Sequence, residues 1–533
     1  MRHERTEPAT GARSQWGVRA VWATGLAGIT LILGLRLDHV CGLYVDDGWY
    51  VLLAKALAGG QGYTLASVPT PGILPSYPPG FPFVLSLVFR VAPRFPENVP
   101  VLKAVSIAAL LGTAVLTRRY CLRDVGLTPA LAVGIALATA LHPGLTFLAT
   151  STVMSECVFT FVQLAVVVLV ERVVRERGGT TIALLAGLVG GFAFLVRSLG
   201  LALVVAAGAY LAKERRWRAA AAFVLGALVV AGPWVLHARL HAPTLAEQAD
   251  VNDQVVYPYD VQFWMNVAGN PLSGTTSPSG LPGRMWKTTL AIGHHAAGAL
   301  EVYPLYHLLD PGKWAAAPPG TTAVSLLSCV SILIGFVAAV RRRVGLAELL
   351  LPVTLAFVAL WPAVPFRFLL PLLPFVLCHT VLGVRVLVQV VTGRDGWGIP
   401  LATVILLATV SLVSNVAYVR ELHGPPEQRP AFVQIFDGLL EVVGWARDHV
   451  PAGQPVAAIH PALVSLYSGH QAVGFAQPAG TWATWRRLGI HYLVDTSYFG
   501  SPDELREGRF TTVYRSPTLQ LRVLDLRRIY EPH

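Results

Sequence analysis

Long apolar blocks recur along this chain, and they constrain its fold more than any other feature. A helix of about 20 apolar residues crosses the ~30 Å hydrocarbon core of a bilayer. The chain carries too little charge for a soluble surface of its size, since 54% of its 533 residues are hydrophobic and 13% are charged. The predicted fold class is therefore mainly α, a polytopic transmembrane helical bundle. Eleven blocks are predicted spans: 16–38, 99–117, 128–147, 152–171, 180–196, 199–212, 219–239, 321–340, 346–364, 366–389 and 399–419.

One pair of these blocks, 180–196 and 199–212, is open to two interpretations. Arg197 interrupts the pair, and the second block is short for a span. The pair is either two spans or one long kinked helix. The count of eleven treats it as two.

Clusters of basic residues separate the blocks and indicate their orientation. Cytoplasmic loops are enriched in Lys and Arg, and with eleven spans every cluster falls on one side. This places the N-terminus in the cytoplasm and the C-terminus outside. It also explains the net charge of +11 without nucleic acid as a partner. The clusters are Arg2, Arg5, Arg13 and Arg19; Arg118, Arg119 and Arg123; Arg172, Arg175 and Arg177; Lys213, Arg215, Arg216 and Arg218; Arg341, Arg342 and Arg343; and Arg385 and Arg394.

Three regions are predicted on the outer side. Residues 39–98 contain "PTPGILPSYPPGFP" between two apolar stretches that are too short to span, which predicts helices lying on the membrane. Residues 240–320 are rich in aromatic residues, most of which are expected at the headgroup belt. Both regions belong to a predicted transmembrane domain of residues 1–419. Residues 420–533 are predicted to form a soluble extracytoplasmic α/β domain.

The tail alternates helical and strand patterns at short intervals. "EVVGWARDHV" and "PALVSLYSG" predict helices, and "PVAAIH" predicts a strand. "TWRRLGIHYLVDT" predicts a helix that runs into a strand. "FTTVYRS" and "LQLRVLDL" alternate as paired strands do. These patterns are typical of a small α/β domain.

Two adjacent carboxylates, Asp46 and Asp47, follow the first apolar block in "LYVDDGWYVLLAKAL". They are either a solvated pair at a span end or part of a reactive site. Neighbouring residues on a helix point in different directions, so one carboxylate can face a reaction while the other faces a partner. Close carboxylates also raise one another's pKa, which suits a base that takes a proton from a hydroxyl.

Several stretches resemble the GT-C-fold glycosyltransferases, and most closely family 39, with its protein O-mannosyltransferase and aminoarabinose transferase relatives. The resemblance touches most of the chain, and the motifs keep the order and the sidedness found in that family. "YVDDGWYVLLAKAL" resembles the acidic motif of the first loop, and "TSTVMSECVF" resembles the acidic start of the fourth span. The others are "GQGYTL" with "YPPGFPFVLSL", "FLVRSLGLAL", "FRFLLPLLPFVL", "WARDHVPAGQPV" and "LGIHYLVD".

This resemblance implies a multi-pass enzyme of a bacterial-type cytoplasmic membrane that transfers a sugar from a polyprenyl-phosphate donor with inversion. Asp46 is then the catalytic base, and Asp47 is its helper, which orients the acceptor or tunes the pKa. Two departures from the family pattern stand out. Asp47 replaces the usual Glu but keeps a carboxylate, whereas Phe368 replaces the usual Tyr and lacks its hydroxyl.

Four further residues are candidates for the site. Glu156 lies at the outer end of the fourth span, where it is either functional or a helix-start carboxylate that suits the helix dipole. Arg367, Arg197 and Lys55 are candidate ligands of the donor phosphate, because arginine forks bind phosphate oxygens in pairs. The alternative for the arginines is that they snorkel to lipid headgroups.

Other functions and ligands stay open at this stage. The chain could transport lipid-linked sugars, although it shows no paired halves of the transporter kind. It could also be an oligosaccharide ligase of similar architecture. The acceptor is unknown and could be a protein, a lipid or a glycan. Two carboxylates could hold Mg²⁺ or Mn²⁺ with a lipid phosphate, but they do not require a metal.

Overall fold

The structure is a computed structural model that describes residues 10–176, 179–299, 321–363, 366–475, 480–497, 505 and 510–530. Of the predicted outer region 240–320, residues 300–320 lie outside the described residues. The helices of the apolar part are α1 (Thr10–Leu35), α2 (Asp46–Ala58), α3 (Gly80–Val91), α4 (Val99–Tyr120), α5 (Pro129–Leu141), α6 (Pro143–Thr150), α7 (Glu156–Arg175), α8 (Thr180–Val196), α9 (Gly200–Lys213), α10 (Trp217–Leu240), α11 (Leu245–Val251), α12 (Tyr259–Trp264), α13 (Leu281–Ala299), α14 (Thr321–Arg342), α15 (Leu346–Leu360), α16 (Phe366–Leu369), α17 (Leu373–Thr392) and α18 (Gly398–Leu422).

Each of the eleven predicted blocks overlaps a helix, which confirms a multi-pass helical membrane protein. Among the described residues, six stretches are long and apolar enough to cross a bilayer, and the bent pair α5 and α6 would make a seventh. The helices α8, α9 and α15 are shorter. The number of eleven spans therefore stays a prediction.

The bend between α5 and α6 has a local cause. Thr128 caps α5 by accepting a hydrogen bond from Leu131 N, and Pro129 suits the first turn of the helix. Pro143 disfavours helical geometry at His142, so α5 ends at Leu141 and α6 begins at an angle of 49° to it.

The break at Arg197 separates α8 and α9 as two helices. Arg197 has extended backbone angles, with φ −156° and ψ 130°. Gly200 starts α9 so close to the end of α8 that a Cβ on it would lie 2.5 Å from Phe194 N. Only glycine permits this return of the chain. Arg197 is thereby held at the turn between the helices instead of along one of them.

The first outer region contains the two short helices that the sequence predicts. The helices α2 and α3 have 13 and 12 residues, too few to span a bilayer. They pack on each other, and the proline-rich loop connects them. Its position relative to the membrane surface stays a prediction.

The second outer region carries the helices α11 to α13 and a short hairpin. Its strands β1 (Met265–Val267) and β2 (Asn270–Thr275) pair antiparallel. Ala268 N in the hairpin donates a hydrogen bond to Pro362 O after α15. The hairpin is thus attached to the outer end of the bundle.

The tail forms a five-stranded mixed sheet with helices. The strand order is β4-β3-β5-β7-β6, with β3 parallel to β4 and β5, and β7 antiparallel to β5 and β6. Its helices and strands lie on the predicted stretches, which confirms the α/β character of the tail. Residues 431–530 are called the C-terminal unit below. Its elements are α19 (Ala431–His449), β3 (Val456–Ala458), α20 (Pro461–Ser468), β4 (Ala472–Val473), α21 (Thr481–Arg487), β5 (Tyr492–Asp495), β6 (Thr511–Arg515), β7 (Arg522–Asp525) and α22 (Arg527–Tyr530).

Candidate active site

Asp46 opens helix α2 and points its carboxylate into a cavity. Tyr77, from the proline-rich loop, donates a hydrogen bond of 2.5 Å to Oδ1. Arg367 Nη2, from α16, donates one of 2.5 Å to Oδ2. Burial acts to raise the pKa of Asp46, but the Arg367 charge and the Tyr77 hydroxyl together hold it below its usual value. Asp46 is therefore charged, and its side chain is still 23% exposed and open to a ligand.

Glu156 joins the two arginines. Its side chain is fully buried at the first position of α7, and Oε1 lies 2.9 Å from Arg197 Nη1 and 3.0 Å from Arg367 Nε. Neither N–H points at the oxygen, so the contacts are ion pairs without aligned hydrogen bonds, and neither carboxylate oxygen has a hydrogen-bond donor among the described residues. The carboxylate thus balances two neighbouring positive charges and leaves their N–H groups available.

Both guanidinium groups keep donors that are poorly used. Arg367 Nη1 contacts Met154 Sδ at 3.0 Å, and a thioether is a weak acceptor. Arg197 donates from Nη1 to Ser155 Oγ at 3.1 Å, whereas its buried Nε has no acceptor among the described residues. The Phe368 ring lies 5.0 Å from the Arg197 guanidinium carbon. Unused N–H donors at a pair of arginines favour an anion such as phosphate.

A cavity of about 530 Å³ contains these groups. This volume lies in the usual range for small-molecule sites. One part of its wall is polar: Asp46, Tyr77, Arg197, Ser198, Gln262 and Arg367. The other part is apolar: Phe194, Leu199, Leu201, Phe357, Val358 and Phe368. Such a cavity suits a ligand with a charged head and an apolar chain.

Helix α12 forms one wall of this cavity through hydrogen bonds with two other segments. The Tyr259 hydroxyl donates to Ser76 O at 2.5 Å and accepts from Ser198 Oγ at 2.7 Å. Gln262 Nε2 donates to Ser76 Oγ at 2.7 Å. The first outer region, the α8–α9 turn and the second outer region therefore meet at Tyr259.

Asp47 points away from the cavity. Its carboxylate accepts hydrogen bonds from the backbone N–H groups of Gly42, Tyr44 and Gly48 at 2.8, 2.9 and 3.0 Å. Burial raises its pKa to about 6. Asp47 does not line the cavity, and its carboxylate organises the loop that carries Asp46. Its role as a helper of Asp46, by orienting the acceptor or tuning the pKa, stays a prediction.

Lys55, the third predicted phosphate ligand, lies away from the other candidate site residues. It lies on an exposed surface of α2 and outside the cavity lining, whereas Asp46 faces inward. Nine residues separate the two, which is about half a turn beyond two full turns of helix. The structure brings Asp46, Glu156, Arg197 and Arg367 together and leaves Lys55 on the opposite face.

No protein-family model and no curated protein matches this chain. Two solved structures are similar to it along most of its length. One is ArnT from Cupriavidus metallidurans bound to undecaprenyl phosphate, with 13% identity and a TM-score of 0.57 over 97% of this chain and 98% of that one. The other is the oligosaccharyltransferase AglB from Archaeoglobus fulgidus in complex with an inhibitory peptide and a dolichol-phosphate, with 13% identity and a TM-score of 0.52 over 90% of this chain and 70% of that one.

The chain has the GT-C fold. The predicted GT-C-like helical architecture with a C-terminal α/β unit is thus confirmed. At this level of identity the likeness extends to the fold and leaves the substrates open.

Within this GT-C chain, Tyr77, Tyr259 and Ser198 are site residues that the sequence reasoning did not single out. Tyr77 directly precedes the first two of the three prolines in "SYPPGFP", and this proximity to a conformationally restricted loop is the only local signal. Tyr259 belongs to a region whose aromatics were expected mostly at the headgroup belt, but its hydroxyl is bonded inside the site.

The candidate site offers little to a metal ion. Across the parts of the chain that the structure describes, no group of three or more His, Cys, Asp or Glu side chains is placed to hold one. Of the two adjacent carboxylates that the sequence left open for a metal, Asp47 accepts three backbone hydrogen bonds and does not line the cavity, and Arg367 pairs with both Asp46 and Glu156. The residues present therefore do not fit the Mg²⁺ or Mn²⁺ that the sequence left open, and no step is assigned to a metal.

Proposed function

We propose that this protein is an integral-membrane glycosyltransferase that moves a sugar from a polyprenyl-phosphate carrier to an acceptor hydroxyl on the outer face of a bacterial-type cytoplasmic membrane. The observation that carries the proposal is a charged carboxylate, Asp46, beside two arginines with spare donors in a half-apolar cavity. A base, an anion site and a lipid-compatible wall are the three parts that such a transfer needs.

Asp46 is the base in this proposal. One of its carboxylate oxygens takes the proton of the acceptor hydroxyl, whose oxygen attacks the anomeric carbon of the sugar. The bond between that carbon and the phosphate oxygen breaks, and the polyprenyl phosphate leaves with the electron pair. Attack from the side opposite the leaving group inverts the anomeric configuration. Negative charge passes from Asp46 to the phosphate, so the total charge of the site is unchanged.

Arg367 and Arg197 bind the leaving phosphate. Arg367 Nη1, whose acceptor is the weak Met154 thioether, and Arg197 Nε, which has no acceptor among the described residues, lie on guanidinium groups that both contact Glu156. Donors fixed before the reaction stabilise developing charge without reorganisation. Glu156 is a positioning residue in this scheme, because it holds the two like charges together.

The two structural neighbours support the lipid part of the proposal. Both hold a polyprenyl phosphate, undecaprenyl phosphate in ArnT and dolichol-phosphate in AglB. The apolar wall of the cavity, with Leu199, Leu201 and Phe357, would face the first isoprene units of such a lipid. The acceptor is open among proteins, lipids and glycans.

The experiment that tests the proposal supplies polyprenyl phosphates carrying single sugars to purified protein in lipid nanodiscs and detects released polyprenyl phosphate by mass spectrometry. Release that depends on the protein supports a transferase. Movement of the intact donor between leaflets without release would indicate a transporter. Turnover only of pyrophosphate-linked oligosaccharides would indicate an oligosaccharide ligase.

A further inference from the structure

A strained turn immediately precedes Asp46. Asp46 N donates a hydrogen bond of 2.6 Å to Tyr44 O, which closes a three-residue turn around Val45. Val45 has φ 57° and ψ −68°, close to the rare and strained form of the γ-turn. A β-branched residue at positive φ is a conformational outlier that persists only when its surroundings enforce it.

Asp47 helps to hold Val45 in this conformation. Its two carboxylate oxygens accept hydrogen bonds from Gly42 and Tyr44 before the turn and from Gly48 after it. The same side chain thus joins both sides of Val45. These bonds fix the direction in which α2 starts, and Asp46 is the first residue of that helix.

The C-terminal unit also contacts the residues around Val45. Its helix α20 lies against the first turn of α2, which follows Val45 directly, so closely that a Cβ on Gly48 would be 2.8 Å from Ala462 Cβ. A Cβ on Gly42, which has φ 89°, would lie 3.4 Å from Leu466 Cδ1 and 3.5 Å from Leu463 Cδ1. Gly48 therefore admits the helix because it lacks a Cβ, whereas Gly42 is favoured by its positive φ, and α20 contacts the chain on both sides of Val45.

Further bonds hold the C-terminal unit to both outer regions. Ala472 N, at the start of edge strand β4, donates a hydrogen bond of 2.9 Å to Ser67 O in the first region. Gly474 N donates one of 2.8 Å to Val251 O in the second. The unit is therefore fixed relative to the cavity, and α20 is a rigid surface for the turn.

We infer that the C-terminal unit is a positioning element for the proposed base: α20, through Ala462 against Gly48, holds the strained Val45 turn that aims Asp46 into the cavity. The inference rests on the proposed function, since it concerns how the base is oriented. It assigns α20 a role in the reaction at a distance from the substrate. A general role in stability would not depend on this one contact.

The test is a rescue experiment on the full-length protein in nanodiscs. Gly48→Ala introduces the clash with Ala462 Cβ, and Ala462→Gly added to it removes the atom that clashes. Gly444→Ala is the matched control. Gly444 is a helical glycine of the C-terminal unit, to which Ala462 also belongs, and a Cβ added to it meets nothing within 4 Å. The readouts are the melting temperature, binding of undecaprenyl phosphate, and kcat and KM for the sugar donor that the wild type turns over.

The inference predicts that Gly48→Ala lowers kcat by about tenfold to a hundredfold, the scale of misplacing a catalytic group by about 1 Å. Undecaprenyl phosphate binding and donor KM should stay near wild type, because the arginines lie on other segments. The double variant should recover most of the kcat, and Gly444→Ala should match the wild type. A Gly48→Ala variant with wild-type kcat, or a loss that Ala462→Gly does not restore, would overturn the inference.

Failure of the proposed function would look different. The wild type would then release no polyprenyl phosphate from any donor, while the melting temperatures of the single and double variants would still report the contact. An unchanged melting temperature in Gly48→Ala would show that α20 does not press on the turn, and this outcome overturns the inference whether or not the wild type is active.

Discussion

Arg367 donates a hydrogen bond of 2.5 Å to Asp46, so the proposed base is paired directly with one of the two arginines proposed to bind the leaving phosphate. In the proposed reaction Asp46 gains a proton, so its hold on Arg367 weakens while the phosphate gains the charge that Asp46 loses. The arginine can thus follow the charge without moving far. This geometry explains why a positive side chain stands beside a base whose strength it reduces.

Replacing Arg197 should weaken the use of the donor. Arg197→Lys keeps the charge but removes the buried Nε and the planar fork, so kcat/KM for the donor should fall about tenfold to a hundredfold. Arg90→Ala is the control, because Arg90 is an exposed arginine near the end of α3, outside the cavity lining. Equal kcat/KM in wild type and Arg197→Lys would remove Arg197 from the phosphate site.

The Tyr259 hydroxyl should keep water out of the cavity. Tyr259→Phe loses the bonds to Ser76 and Ser198, each worth ~1 kcal/mol net, so hydrolysis of the donor relative to transfer should rise about fivefold. Tyr530→Phe is the control, since its hydroxyl bonds to Ile490 O within the C-terminal unit. The two products, free sugar and glycosylated acceptor, are counted in the same reaction. An unchanged ratio would mean that this wall does not exclude water.

Activity and stability should change in opposite directions as Asp47 titrates. Burial raises its pKa to about 6, with Asp46 adding to the rise and the backbone N–H groups and Lys103 opposing it. Below pH 6 the protonated carboxyl loses acceptor capacity for the turn, so kcat should fall as the pH is lowered.

The stability of the folded protein should change with pH in the opposite direction to kcat. A carboxyl whose folded pKa exceeds its unfolded value of ~3.9 adds stability below that value, and the contribution is lost as the pH rises through about 6. Asp47→Asn should remove this part of the pH dependence of the melting temperature and should lower kcat at every pH. Identical pH profiles in wild type and Asp47→Asn would contradict the assignment.

Much of the helical framework was predictable because its signals are local. The apolar blocks and the basic clusters act within a few residues of where they stand, and so do the turn and strand patterns of the tail. The bend at Pro143 falls inside the predicted block 128–147, which the apolar pattern alone treats as one span. The charged residues of the site were found by their motifs, although Asp46, Glu156 and Arg367 lie far apart in sequence. Each motif places a charge at the outer end of a helix, where the fold then gathers them.

The resemblance separates Asp46 from Asp47 as base and helper, but two identical neighbours do not themselves show which one faces the cavity. In the structure Asp46 follows Val45, which has a positive φ, and we infer that this turn is held by α20, more than 400 residues later in the chain. Lys55 is the opposite case, since helical periodicity alone places it about 180° from Asp46 on α2. The hydroxyl of Tyr259 reaches the site only through long-range packing.

The most direct test of the account compares wild type with Asp46→Asn in nanodiscs, using a polyprenyl-phosphate sugar that the wild type consumes and measuring released polyprenyl phosphate. Asp46→Asn keeps the shape of the side chain but cannot take the proton, so transfer should fall by about 10²-fold to 10⁴-fold, with undecaprenyl phosphate still bound because Arg197 and Arg367 remain. Wild-type rates of release from Asp46→Asn would contradict the account.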